Sequence, residues 1–321
     1  MRLFIIPFAV LFGVFTRTEL LLADTYPVAI TDDRQQLVTL THRPESVAAI
    51  SVFAADVMQA LGSQASGLST LNHQRTRFLG DTVAHVTDLG EVHETNMEVL
   101  TQLKPDLIVG IRTYTEPHAA KFEQIAPFLA YDLIDYADSD RAILGMTTAL
   151  GKAEEGAQLN RDFAARMAEL GNKAPGGLRS VLLWYWDDVP FAFYDHHLAV
   201  HIMRELQVNN AFGASELAPS LKNPFAAPIS MEKLLQLDPD VILAFKGDSG
   251  PFAQHPVWQR LTAVKQQRVY RVADHYVMPH GPIARDMVLR ELAHLFYPAT
   301  FAAPSDIPVA ARARPAAFSS D

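Results

Sequence analysis

A fourteen-residue pattern occurs twice in this chain. Asn96-Met97-Glu98-Val99-Leu100-Thr101-Gln102-Leu103-Lys104-Pro105-Asp106-Leu107-Ile108-Val109 returns as Ser230-Met231-Glu232-Lys233-Leu234-Leu235-Gln236-Leu237-Asp238-Pro239-Asp240-Val241-Ile242-Leu243, with eight positions identical. Each copy reads as one physical unit. An Asn or Ser able to accept backbone N–H groups opens two helical turns with Leu at matching positions, Pro-Asp ends the helix, and an apolar run follows as a strand. The offset of 134 residues is the size of a small domain. The simplest chain with this property has two related α/β lobes.

A length of 321 residues, 49% hydrophobic and 20% charged, supplies two ordinary cores. The net charge of -9, without a basic cluster, argues against nucleic acid or an anionic membrane as partner and leaves a small ligand or a protein. With no cysteine there are no disulfides, thiolate metal sites, Cys nucleophile or lipidated N-terminal Cys. Arg2, the apolar run from Leu3 to Phe15, and Ala23 before Asp24 predict a signal peptide over 1–23 and a soluble mature protein in the periplasm. That run is shorter than the ~20 residues a spanning helix needs.

Along the mature chain, Tyr26 to Thr41 predicts a hairpin turning at Asp32 to Gln35, and Val47 to Ser51 a buried strand before a helix that stops at Gly62. Strands are expected at 66–71, 86–89, 107–111 and 128–131. Ser139 to Leu170 carries apolar residues at three- and four-residue steps and predicts long helical structure, with Gly151 and Gly156 as interruptions. The expected organisation is a first lobe over 24–138, a connecting helix over 139–173, a second lobe over 174–298, and a disordered, Ala- and Pro-rich tail over 299–321.

Open α/β sheets bind ligands beyond the carboxyl ends of their strands. That rule selects Phe53, Arg75, Arg77, Arg112 and Tyr114 in the first lobe, and Trp186 at the end of the strand from Val181 in the second. Arginine offers a permanently charged planar fork for anionic oxygens. His197 and His201, one helical turn apart with His196 beside them, raise a metal site as an alternative, but three or four ligands from both lobes would be needed. No G-x-S-x-G, P-loop, G-x-G-x-x-G or H-E-x-x-H occurs, so no catalytic motif is present.

The hairpin Tyr26-Pro27-Val28-Ala29-Ile30-Thr31-Asp32-Asp33, the following Arg43-Pro44-Glu45-Ser46-Val47, the doubled helix-Pro-Asp-strand, Ile125-Ala126-Pro127, and His255-Pro256-Val257-Trp258 running on to Arg268-Val269-Tyr270 together resemble a known family. It is that of the periplasmic binding proteins for iron-siderophores, ferric citrate and vitamin B12, and the likeness spans about residues 26 to 297. The resemblance implies a class III arrangement, two α/β lobes joined by one long helix with the ligand in a cleft between them. It implies an Fe(III)-siderophore as cargo, an inner-membrane ABC permease as partner, a monomer, no cofactor and no catalysis. The family's permease-docking glutamates correspond to Glu98 and Glu232. Its hydroxamate-contacting tyrosine corresponds to Tyr114, and its last loop points to Tyr276, His280 and Arg285. Where hydroxamate binders carry an arginine after the Gly matching Gly90, this chain has Val92 and His93, and Arg112 is the candidate substitute. Ferric citrate, cobalamin or haem as cargo, or a periplasmic metal-dependent enzyme, are the other readings.

Overall fold

The computed structural model describes residues 26–186, 189–215, 225–245 and 255–316. The expected signal peptide lies outside the described residues. Strands β1 (Val28–Thr31) and β2 (Leu37–Leu40) form the hairpin, with Val28 opposite Leu40. Its turn is fastened to the rest of the lobe by Asp32. That buried carboxylate accepts from the backbone N–H groups of Arg34, Gln36 and Ala130 and pairs with the Arg34 guanidinium.

The first lobe is a six-stranded sheet of order β6-β5-β4-β3-β7-β8, comprising β3 (Val47–Ile50), β4 (Gly67–Thr70), β5 (Thr87–Glu91), β6 (Glu94–Thr95), β7 (Leu107–Ile111) and β8 (Phe128–Tyr131). All pairings are parallel except that of the short β6. Helices α1 (Val52–Ala60), α2 (Met97–Leu103), α3 (Arg112–Thr115) and α4 (Ala119–Glu123) connect the strands. Because both faces are covered, β3, β7 and β8 are buried at every position, as parallel strands of this kind require.

The second lobe is built on β9 (Leu178–Trp186), β10 (Val189–Phe193), β11 (Val208–Asn210), β12 (Ala226–Pro228), β13 (Val241–Phe245), β14 (Val269–Arg271) and β15 (Arg314–Pro315). The order is β12-β10-β9-β13-β14-β15. One edge of β9 is shared, its first residues pairing with β11 and its last with β10. Helices α7 (Leu198–Glu205), α8 (Met231–Leu237) and α9 (Thr262–Lys265) complete it, and α10 (Pro282–Phe296) follows.

The sequence repeat is a structural repeat. Asn96 and Ser230 each accept the N–H of the residue three places on, Val99 and Lys233. Lys104 and Asp238 close the two helices with left-handed φ values of 50° and 40°, which reverses the chain into the proline. The aspartate after each proline then performs the same task in both lobes. Asp106 Oδ2 accepts from Glu45 and Ser46 N–H at the entry to β3, and Asp240 Oδ2 accepts from Arg179 N–H in β9. Each carboxylate thereby sets the register of its strand against the neighbouring one.

The connector differs from one continuous helix over 139–173. It is a pair, α5 (Tyr136–Ala149) and α6 (Ala153–Lys173), broken where Gly151 takes a φ of 68° and Lys152 N–H turns back to Thr147 O. Gly156 lies so close to the Thr147 side chain that no Cβ fits between them, and the two helices pack side by side. Ile143 and Met146 of α5 lie in the first-lobe core, whereas Phe163 and Met167 of α6 lie in the second.

Helix α10 ties the lobes a second time. Ala284 and Met287 belong to the first core, while Val288, Leu289 and Leu292 belong to the second. At its start Asp56 of α1 accepts from the N–H groups of Ile283 and Ala284, each at 2.8 Å, and leaves room only for a glycine at 281. The expected disorder after residue 298 is corrected for the described part of that segment. Ile307 and Ala311 are buried in the first core and β15 extends the second sheet, so only 317–321 lie outside the described residues. Few apolar groups suffice because the segment docks onto existing surfaces and needs no core of its own.

Candidate functional site

Beyond the carboxyl ends of β4, β13 and β14 lies a cleft of about 230 Å³ with walls from both lobes. From the first lobe it takes the loop from Leu71 to Arg77, and from the second Phe245, Arg271 and Asp274, with Arg312 and Arg314 arriving on the C-terminal segment.

The first-lobe loop is built around a carboxylate. Asn72 and His73 both take left-handed φ values, 55° and 58°, and aim their N–H groups at Glu91, which also accepts from the Thr70 hydroxyl at 2.6 Å. Burial raises the Glu91 pKa, but these three donors outweigh it and hold the group below the usual carboxylate range. Arg75 follows, its Nη1 donating to the carbonyls of Val83 and Val86, both at 2.8 Å. Arg77 is exposed on the cleft wall.

Four of the guanidinium groups here, those of Arg75, Arg77, Arg312 and Arg314, have no carboxylate within ion-pair distance among the described residues. Arg312 donates to Ile307 O and Ser305 O, and Arg314 to Val309 O; burial raises the pKa of Glu291, and the Arg312 charge is among the groups that oppose that rise. Among the described residues the acid in the wall is Asp274. Burial raises its pKa, opposed by hydrogen bonds and by the Arg77 charge. A cleft with this excess of cations is built for an anion, in a chain whose total charge is -9.

Of the residues selected from the sequence whose side chains are described, the structure brings only Arg75 and Arg77 into this cleft. Arg112 stands further along the same sheet edge, bidentate to Asp132 at 2.9 and 2.8 Å and paired with Glu116. Tyr114 is exposed nearby, its ring 6.2 Å from that of His93. Four candidates are corrected outright. Phe53, Tyr276, His280 and Arg285 are 2%, 0%, 3% and 0% exposed and form core contacts. Phe53 meets Tyr131 edge-on, and Tyr276 donates to Glu291 at 2.7 Å. The His280 carbonyl accepts from Ser139. Arg285 joins α10 to α5 and α6 through Ser139, Asp140 and Asn160, and its guanidinium lies 4.3 Å above the Phe163 ring.

The side chain of Trp186 lies outside the described residues. His197 is the buried residue preceding α7, with Val277 O 3.3 Å from Nε2, and His201 stacks on Tyr136. Among the described residues no three His, Asp or Glu side chains converge as metal ligands. Arg271, Arg312 and Arg314 were missed by sequence reasoning. The first lies on a short strand whose end gave no signal, and the others stand in a segment whose composition reads as disordered.

Glu98 and Glu232 are exposed in the first turns of α2 and α8. Asn96 N–H donates to Leu89 O in β5, which places the start of α2 at the carboxyl edge of the first sheet, the edge that faces the cleft. The repeat puts Glu232 at the corresponding place in the second lobe.

Comparison with known proteins adds three findings. Residues 47–276 match the family model described as periplasmic binding protein. Among curated proteins, the chain is 26% identical to a putative ABC transporter substrate-binding lipoprotein, YhfQ of Bacillus subtilis, over 263 residues, covering 77% of this chain and 81% of that protein. It is 24% identical to the Fe(3+) dicitrate-binding periplasmic protein FecB of Escherichia coli over 305 residues, covering 88% and 95%. Among solved structures, the siderophore binding protein BauB superposes with a TM-score of 0.68 at 19% identity, covering 84% of this chain and 99% of that one.

Proposed function

This chain belongs to the periplasmic binding protein family, non-enzymatic solute-binding proteins of ABC importers with the two-lobed class III fold, and from that premise we propose that it is a periplasmic monomer that captures a ferric siderophore bearing anionic carboxylate groups and hands it to an inner-membrane ABC permease. One observation carries the choice of cargo, the guanidinium groups of Arg75, Arg77, Arg312 and Arg314 around the cleft, which among the described residues have no carboxylate within ion-pair distance. An Fe(III) chelate of the citrate type presents an array of anionic oxygens that such planar donors match two at a time. The likeness to a protein named for ferric dicitrate supports the same class.

The handover reading assigns permease docking to Glu98 and Glu232. Each carboxylate is favoured at a helix start by the macrodipole, which explains either residue alone. The pair gains its second meaning from position, one per lobe on corresponding edges.

The test is quenching of tryptophan fluorescence by ferric citrate, a neutral ferric hydroxamate, cobalamin and haem. Ferric citrate is expected to bind, with an affinity that falls as salt rises, and Arg77→Ala is expected to weaken it about tenfold, as loss of one charged hydrogen bond does. Tight, salt-independent binding of the hydroxamate with no response to ferric citrate overturns the assignment.

A further inference from the structure

The C-terminal segment, residues 298–316, crosses from one lobe to the other and ends beside the cleft. Ile307 and Ala311 sit in the first core, and Phe301 and Ala313 pack on the second. Two polar contacts then fix its course. Ala313 N–H donates to Glu291 Oε1 at 2.9 Å, and Ala316 N–H donates to Val269 O at 2.9 Å. Between these anchors Arg314 pairs with Arg271 along the β14 edge, in antiparallel register. Glu291 is itself buried and held by the Tyr276 hydroxyl, so the anchor is preset.

We propose that this segment is a specificity strap, in which Arg312 and Arg314 form a detachable cationic wall that selects anionic chelates and is held down by them. The inference rests on the cleft being the cargo site. Its argument is one of charge. The strap brings two guanidinium groups to a cavity that already holds Arg75 and Arg77, and like charges in one small cavity oppose strap docking. The nearby acids offset this only in part, since Asp274 acts on Arg77 and Glu291 on Arg312, and among the described residues neither carboxylate lies within ion-pair distance of these guanidinium groups. An anion bridging the strap and the first lobe removes the repulsion. By linkage, whatever binds more tightly to the docked strap also favours docking.

Ferric citrate is the probe, titrated into the full chain at low and high salt, with Arg314→Ala, Arg314→Lys, the double variant Arg312→Ala/Arg314→Ala, and Arg77→Ala as a first-lobe control. Arg314→Ala is expected to weaken binding about fivefold or more and to reduce its salt dependence, with Arg314→Lys recovering most of the loss. Ferric citrate is also expected to slow trypsin cleavage after Arg312, which precedes Ala313, in the unaltered chain. If Arg77→Ala weakens binding and the double variant stays within twofold, with cleavage unaffected by ferric citrate, the strap has no part in selection and the cleft reading stands. If none of the variants changes binding, or the unaltered chain does not bind ferric citrate, the cleft reading falls and the strap falls with it.

Discussion

His197, His275 and His280 are held as neutral imidazoles. Burial pushes their pKa values down to about 3, 3 and 4, and the neighbouring His280 lowers His197 further. Each folded value lies below the 6.5 of the unfolded chain, so their stabilising contribution is present above about pH 6.5 and is lost as pH falls towards 4. His275 packs against Phe78 and leaves both ring nitrogens without a hydrogen bond. His275→Leu should therefore be tolerated at neutral pH and flatten the stability profile by up to about 1.4 kcal/mol per pH unit between pH 6 and 4. Urea unfolding at several pH values measures this, and an unchanged slope would show that His275 is accessible to protons in the folded chain. Arg285 illustrates the opposite case, a buried charge whose two Nη atoms are bonded to Ser139, Asp140 and Asn160. Arg285→Met strands Asp140 and Asn160 and should cost about 3 to 5 kcal/mol in urea unfolding. A ligand contact misassigned as structural would instead lose affinity at unchanged stability.

At the scale of the element, the Pro-Asp of the repeat yields an asymmetric prediction. Asp106 receives two backbone N–H groups and Asp240 one. Asp106→Ala should destabilise more than Asp240→Ala, by about 1 kcal/mol on the usual net value of a hydrogen bond, and equal effects would contradict the clamp. The repeat also explains why so much of the fold was legible. Its helices and strands declare themselves through local periodicity and caps, and β7 and β8 run over the predicted 107–111 and 128–131. The connector was legible as helix and Gly151 as an interruption, whereas Gly156 lies inside the second helix, where its close approach to Thr147 packs the two helices side by side, a tertiary contact without a sequence period. The cleft was legible only in part. The loop after β4 follows from topology, which located Arg75 and Arg77. Tyr276, His280 and Arg285 failed because polar residues near the start of a last helix look alike whether they face a ligand or bind together three helices. The strap escaped because docking on a finished surface leaves no amphipathic pattern.

For the whole molecule, the two exposed glutamates make the sharpest statement. The double charge reversal Glu98→Arg/Glu232→Arg should leave ferric citrate binding unchanged and abolish uptake in cells that depend on this carrier. Normal uptake would remove both residues from the docking surface. A different consequence follows from α10, whose first turns belong to one core and whose later turns belong to the other. Neither lobe owns that helix, so neither can melt without exposing apolar surface in its neighbour. Heating should accordingly give one endotherm, with calorimetric and van't Hoff enthalpies in agreement, despite a chain plainly assembled from two copies of one design.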